Sequence, residues 1–324
     1  MKAWILRSCL ATQITAFIEL RRLSGTDYES QTRMLRYVDR FLVEHTIQQP
    51  RITREIWDAY RDSLSGLAVR TQANRLCVLR QLCEYLARTD PSGFIPEPLR
   101  SPPSHGAHRP YIFTYTQVGD LVAAASTLPP PGSLRPQTYR TLFGLLYSAG
   151  LRVGEAFALN IEHFFADDQR LYVAEGKFRK SRWIVLSASS TRALSRYLER
   201  RMNKEPNGPE APLFLNERSR RLCYPTVRTG FMDVLHACGI RWSPQHGPRL
   251  HDLRHTFAVH RLLGWYRDGQ DVNARLPALA TYMGHVNISS TQVYLQPTAT
   301  LRGQVDRRFH DHYLKHLVSK AVSS

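Results

Sequence analysis

Apolar residues recur at helical spacing along most of the chain, and that period gives way to alternation only once. In residues 12–22 and 30–45 they fall every three or four positions; in the second stretch Met34, Tyr37, Val38, Phe41 and Leu42 do so. A third run opens at Thr71 and sets Leu76, Leu79, Leu82, Cys83 and Leu86 on one face, with Arg75, Arg80 and Arg88 mostly off it. Residues 91–110, PSGFIPEPLRSPPSHGAHRP, then hold six prolines and two glycines with almost no periodic pattern. Such a segment is extended and semi-rigid. It predicts an N-terminal helical domain over 1–92, a linker over 93–110 and a second domain over 111–324. Beyond the linker, Thr116 is read as the N-cap of a helix reaching Ala125. Leu142, Leu145, Leu146 and Ala149 define a helix over 137–149 that Gly150 stops. Residues 171–174 and 183–186 read as two strands joined by a basic turn, EGKFRKSR. The helical period returns over 226–238, 250–265, 277–283, 290–295 and 304–320, with Pro277 expected in the first turn of its helix. The expected fold is mainly α with a small β-hairpin or sheet.

Composition narrows the class. A chain of 324 residues is longer than one core usually supports, and 43% hydrophobic with 22% charged residues excludes wholesale disorder. Lys and Arg number 44 against 27 Asp and Glu, for a net charge of +17. That excess points to a polyanionic partner, nucleic acid first, against the alternative of a solvated basic surface. The five cysteines are widely spaced with no C-x-x-C pair, which argues against a disulfide framework or zinc finger and for a reducing, cytoplasmic setting. The apolar run in MKAWILRSCLATQ is broken by Arg7 and followed by no small-residue cleavage site, so it is not read as a signal peptide. No apolar stretch is long enough to span a bilayer, and no membrane partner is expected.

Five short segments carry candidate chemistry: SAGLRVGEA with Arg152, the basic turn with Lys177, HDLRHTFA with His251 and Arg254, MGHVN with His285, and SSTQVYLQ with Tyr294. Singly, each has an ordinary structural explanation: a solvated ion pair, a turn lysine, a hydrogen-bonded loop histidine or a half-buried tyrosine. His251 and His255 imitate half a zinc site, but Asp252 and Leu253 follow where H-E-x-x-H needs Glu, and no metal is expected. Glu155 is read as a local pairing or capping residue without chemistry. Together the segments hold what transfer of a phosphodiester to a protein hydroxyl requires. Guanidinium groups bind non-bridging oxygens and neutralise the pentacoordinate transition state. A tyrosine, with a free pKa near ~10, needs a base or cationic surroundings to become a nucleophile. A histidine can take that proton, and a lysine can protonate the departing 5′ oxygen.

The order Arg, Lys, His-x-x-Arg, Gly-His, Tyr resembles the tyrosine recombinase (phage integrase) family, of mobile-element type. AGLRVGE is similar to its first-arginine segment and GKFRKSR to its hairpin-lysine segment, with Phe178 where a second glycine is common. Lys177 and Lys180 compete for the lysine position, and the place just after Gly176 favours Lys177. The resemblance implies a two-domain, C-shaped clamp around duplex DNA, built from a helical core-binding domain and a catalytic domain. It implies catalysis by Arg152, Lys177, His251, Arg254 and His285, with Tyr294 as nucleophile and no cofactor. Together with the charge pattern, it places Arg75, Arg80, Arg179, Lys180 and Arg182 against DNA. It further implies a tetramer on two DNA sites, of one chain or with sister recombinases, in the bacterial cytoplasm. The stripe Leu301, Val305, Phe309 and Tyr313 of the last helix then docks either on its own core or on a neighbouring protomer. Three other readings stay open: a type IB topoisomerase-like relaxing enzyme, a DNA-binding accessory protein that does not cleave and, last, a metal-dependent nuclease.

Overall fold

Three elements of this protein start at a side-chain cap: Thr53, Thr114 and Asp271 each accept from a backbone N–H in the turn that follows. The computed structural model describes residues 5–25, 27–98, 110–174, 181–204, 208–243 and 247–285. The chain forms two compact units, Met1–Ala107 and His108–Ser324, each with its own core. Among the described residues no helix is long and apolar enough to cross a membrane.

The first unit packs α1 (Ala11–Leu23), α2 (Glu29–Glu44), α3 (Arg54–Ser63) and α4 (Val69–Leu86) around Ile14, Phe17, Leu35, Leu42, Trp57 and Leu82. The periodicity anticipated α1, α2 and α4 to within two residues at each end. Helix α3 was not anticipated, being short; Thr53 starts it by accepting from the Ile56 N–H. Asp39 is buried, and its carboxylate accepts from the backbone N–H groups of Arg7 and Ser8, pinning the segment before α1 to α2. Asp39→Ala strands both donors, so a loss of about 1–3 kcal/mol is expected in a thermal or denaturant melt.

The second unit holds the remaining helices and a three-stranded antiparallel sheet in the order β1–β2–β3. Helices α5 (Tyr115–Ala125) and α6 (Arg135–Ser148) pack against each other. Thr114, not Thr116, caps α5: its hydroxyl accepts from Gln117 N–H while the Gln117 side chain returns to Thr114 N–H. After α7 (Val153–Ala158) come β1 (Phe164–Phe165), β2 (Arg170–Val173) and β3 (Arg182–Val185). Leu171 faces Ile184 across the ladder, and both are buried. Both expected strands sit one residue earlier than read, so Arg182 belongs to β3 rather than to the turn.

Helix α8 (Ala188–Lys204) was also missed, because its inward face includes Thr191 and Arg201, which polarity alone assigns to the surface. Then follow α9 (Tyr224–Ala237), α10 (Leu250–Arg267) and α11 (Val272–Met283). Helix α10 is buried on most sides, lying between the main core and a smaller one with α11. Pro277 lies inside α11 and not in its first turn. Asp271 caps the helix earlier, accepting from Asn273 and Ala274 N–H, and this overrides the start that proline suggested. The mainly helical fold with one small sheet is as the sequence indicated.

Candidate active site

Gly150 makes the site's geometry possible. It leaves α6 with φ +59°, and a Cβ there would lie 2.4 Å from Phe257 Cδ1, so only glycine turns the chain this close to α10. Its carbonyl accepts from Arg254 Nη1, and two residues later Arg152 opens α7. Arg254 itself is 1% exposed, enclosed because α10 is central.

The last turn of α11 supplies the acceptors that hold three arginines. The carbonyls of Tyr282, Met283 and Gly284 accept in turn from Arg182 Nε (3.0 Å), Arg254 Nη2 (2.7 Å) and Arg152 Nη2 (2.6 Å). A helix C-terminus leaves carbonyls unpaired and carries the negative end of the dipole, which suits cations. Gly284 ends the helix at φ +68°, and a Cβ there would press within 2.9 Å of Arg182 Nη1.

Glu155 is the counter-ion. Its Oε1 accepts from Arg152 Nη1 (2.6 Å) and Arg182 Nη1 (2.9 Å); its Oε2 accepts from Arg152 N (2.9 Å) and Arg182 Nη2 (2.8 Å). Burial pushes this carboxyl up, but hydrogen bonds and charge from Arg182 and Arg152 outweigh it and bring its pKa down to about 2. Two guanidiniums therefore share this carboxylate and Arg254 adds a third positive charge, leaving the site positive.

Two histidines complete the cluster. His285 Nε2 lies 2.9 Å from Arg254 Nη2; a guanidinium only donates, so this nitrogen accepts and the ring is neutral. Desolvation by the packed protein, then the charges of Arg254 and Arg152, lower both histidines to about 4. His251 stands one turn before Arg254, its ring edge-on to His255 at 4.8 Å. Proton NMR of the DNA-free protein should find both rings neutral at pH 7 and titrating near pH 4. A midpoint near ~6.5, the value of a free imidazole, would contradict this environment.

The structure thus gathers four of the expected residues, Arg152, His251, Arg254 and His285, at one place. Lys177, Arg179, Lys180 and Tyr294 lie outside the described residues, as do the expected helices over 290–295 and 304–320 with the Leu301–Tyr313 stripe. Arg75 and Arg80 sit on α4: Arg75 stacks over the Tyr37 ring at 4.0 Å, and Arg80 pairs with Glu84 and donates to the Pro96 carbonyl. Arg182, expected against DNA, has its guanidinium on Glu155 and its Nε on the Tyr282 carbonyl. Glu155 was read as a local pairing residue; it does pair with Arg152, but it also bridges to β3. The signal in sequence was its position three residues after Arg152 at a helix start; nothing local announced the second partner.

A model of the phage integrase family matches residues 112–300, which span all four gathered residues and Tyr294. A protein named integrase/recombinase y4rB, from Sinorhizobium fredii (strain NBRC 101917 / NGR234), is 34% identical over 91% of this chain and 95% of its own length. Tyrosine recombinase XerC of Chlamydia pneumoniae is 29% identical, over 73% and 67% respectively. The Tn1549 transposon integrase, solved in complex with transposon right end DNA, matches with a TM-score of 0.63 over 93% of this chain and 99% of that one. At 15% identity this last likeness speaks for the fold alone. The chain belongs to the phage integrase family and is a tyrosine recombinase.

Proposed function

We propose that this protein cleaves and rejoins duplex DNA at specific sites through a 3′-phosphotyrosine intermediate, using neither metal nor ATP. The observation that carries the reading is the convergence of Arg152, Arg254, His251 and His285 on a site with excess positive charge. Arg152 and Arg254 hold the scissile phosphate and neutralise charge as the fifth oxygen arrives. The Tyr294 hydroxyl attacks phosphorus; a P–O bond to tyrosine forms and the bond to the 5′ oxygen breaks. His251 and His285 assist by proton transfer or hydrogen bonding, and Lys177 protonates the departing 5′ oxygen. The ester retains the bond energy, so a 5′-hydroxyl from another strand can reverse the step. The likeness to integrase/recombinase relatives supports the ends of a mobile element as substrate. The active assembly is a tetramer on two sites, alone or with sister recombinases, working in the bacterial cytoplasm.

A covalent trap tests this. DNA from the ends of the protein's own genetic element is nicked beside the suspected site, so that the short 5′ fragment diffuses away after cleavage. A denaturant-resistant protein–DNA species is expected with the native chain, persisting in chelator and absent with Tyr294→Phe. An adduct that survives Tyr294→Phe, or one abolished by chelator, overturns the reading.

A further inference from the structure

A second basic surface, sharing no residue with the arginine cluster, lines a groove of about 540 Å³ between α6 and α8. Helix α8 is patterned for it. Thr191, Leu194 and Tyr197 point inward, while Arg192, Arg196, Arg200 and Lys204 are exposed at four-residue steps. Each four-residue step drifts about 40° around a helix, so of these four the central pair, Arg196 and Arg200, line the groove, while Lys204 donates to the Gly132 carbonyl. Across the groove α6 contributes Arg140, also exposed, and the Ser148 hydroxyl, which accepts from Ser190 at the start of α8.

The state of these charges decides the meaning. None of Arg140, Arg192, Arg196, Arg200 and Lys204 forms an ion pair with a described residue, and Glu199 is the one acid lining the groove. Elsewhere Arg61, Arg80, Arg135, Arg152, Arg170 and Arg182 have a carboxylate partner, while the exposed Arg33, Arg40 and Arg220 form no ion pair with a described residue; what sets this strip apart is that Arg140, Arg196 and Arg200 line one groove. A face that only needs solvation intersperses both signs. This one collects guanidinium and hydroxyl donors along a concave strip, the groups that bind phosphate oxygens. A second copy of the chain, at +17, is poorly matched to it.

We propose that the α6–α8 groove binds the phosphate backbone of duplex DNA lying outside the segment held at the arginine cluster. The proposal rests on DNA being the substrate, and it gives the catalytic unit a hold on flanking duplex. The test compares two DNAs: one trimmed to the shortest length the native chain still binds, and the same one extended by several helical turns. Affinity is measured against salt for the native chain and for Arg140→Gln/Arg196→Gln/Arg200→Gln. Three lost phosphate contacts, at ~0.9 each, should flatten the log–log salt slope by about 2.7 on the extended DNA and leave the trimmed DNA unchanged. The corresponding triple Lys variant keeps the charges and should keep the native slope, separating charge loss from misfolding. A slope lost equally on both DNAs, or on neither, overturns the proposal. The readout is binding, so absence of a Tyr294 adduct would sink the cleavage reading and leave this comparison intact.

Discussion

Arg254→Ala should reduce covalent adduct formation by at least a hundredfold and lower the melting temperature of the free protein as well. The two effects have separate causes. Removing one preorganised donor from a developing oxyanion typically costs about 10²–10³ in rate, and a guanidinium supplies both donors and charge. Independently, Arg254 is buried and satisfies the carbonyls of Gly150 and Met283, which its loss leaves unpaired at about 1–3 kcal/mol each. Arg254→Lys separates them. An ammonium keeps the charge but cannot span both carbonyls and a phosphate as a planar fork does. It should recover part of the stability and little of the rate. Equal recovery of both would show that charge alone matters there.

Glu155→Gln should destabilise the second unit by about 3 kcal/mol at neutral pH, and that deficit should vanish in acid. The sign follows from the folded carboxyl, held at about 2 against an ordinary 4.5. A group whose pKa is depressed by folding contributes stability above its unfolded pKa and loses it as pH falls through the folded one. The native chain should therefore lose this contribution between about pH 4.5 and 2, converging on the variant, with ~1.36 kcal/mol per pH unit of depression setting the size. Adduct formation should fall too, since Glu155 accepts from both the backbone and the guanidinium of Arg152. Melts of the two proteins that stay parallel from pH 7 to pH 3 would contradict the pairing.

These variants also mark where sequence reading stopped. Arg152, His251, Arg254 and His285 stood out because their segments hold the chemistry in a recognisable order, and α10 stood out because its apolar positions are dense. The pairing of Glu155 with Arg182 did not, because it joins α7 to β3, residues 27 apart, and no local period encodes a pair across two elements. The three carbonyls of α11 that seat the arginines were invisible for a related reason: backbone acceptors have no letter in a sequence. Helix ends were misjudged where two signals competed, as at Asp271 against Pro277. Helix α8 was hidden by a buried arginine. Cores and motif order are written residue by residue, whereas the counter-ion network emerges only when distant elements meet.

Under the proposed function, Tyr294 becomes esterified to DNA at the site formed by Arg152, Arg254, His251 and His285. The most direct measurement is to digest the trapped protein–DNA complex with protease and nuclease and to identify by mass spectrometry the residue that carries the nucleotide. A single modified peptide is expected, with the 3′-phosphate of the cleaved strand on the Tyr294 oxygen. The nucleotide found on any other side chain, or cleaved DNA recovered with no protein attached, would contradict it.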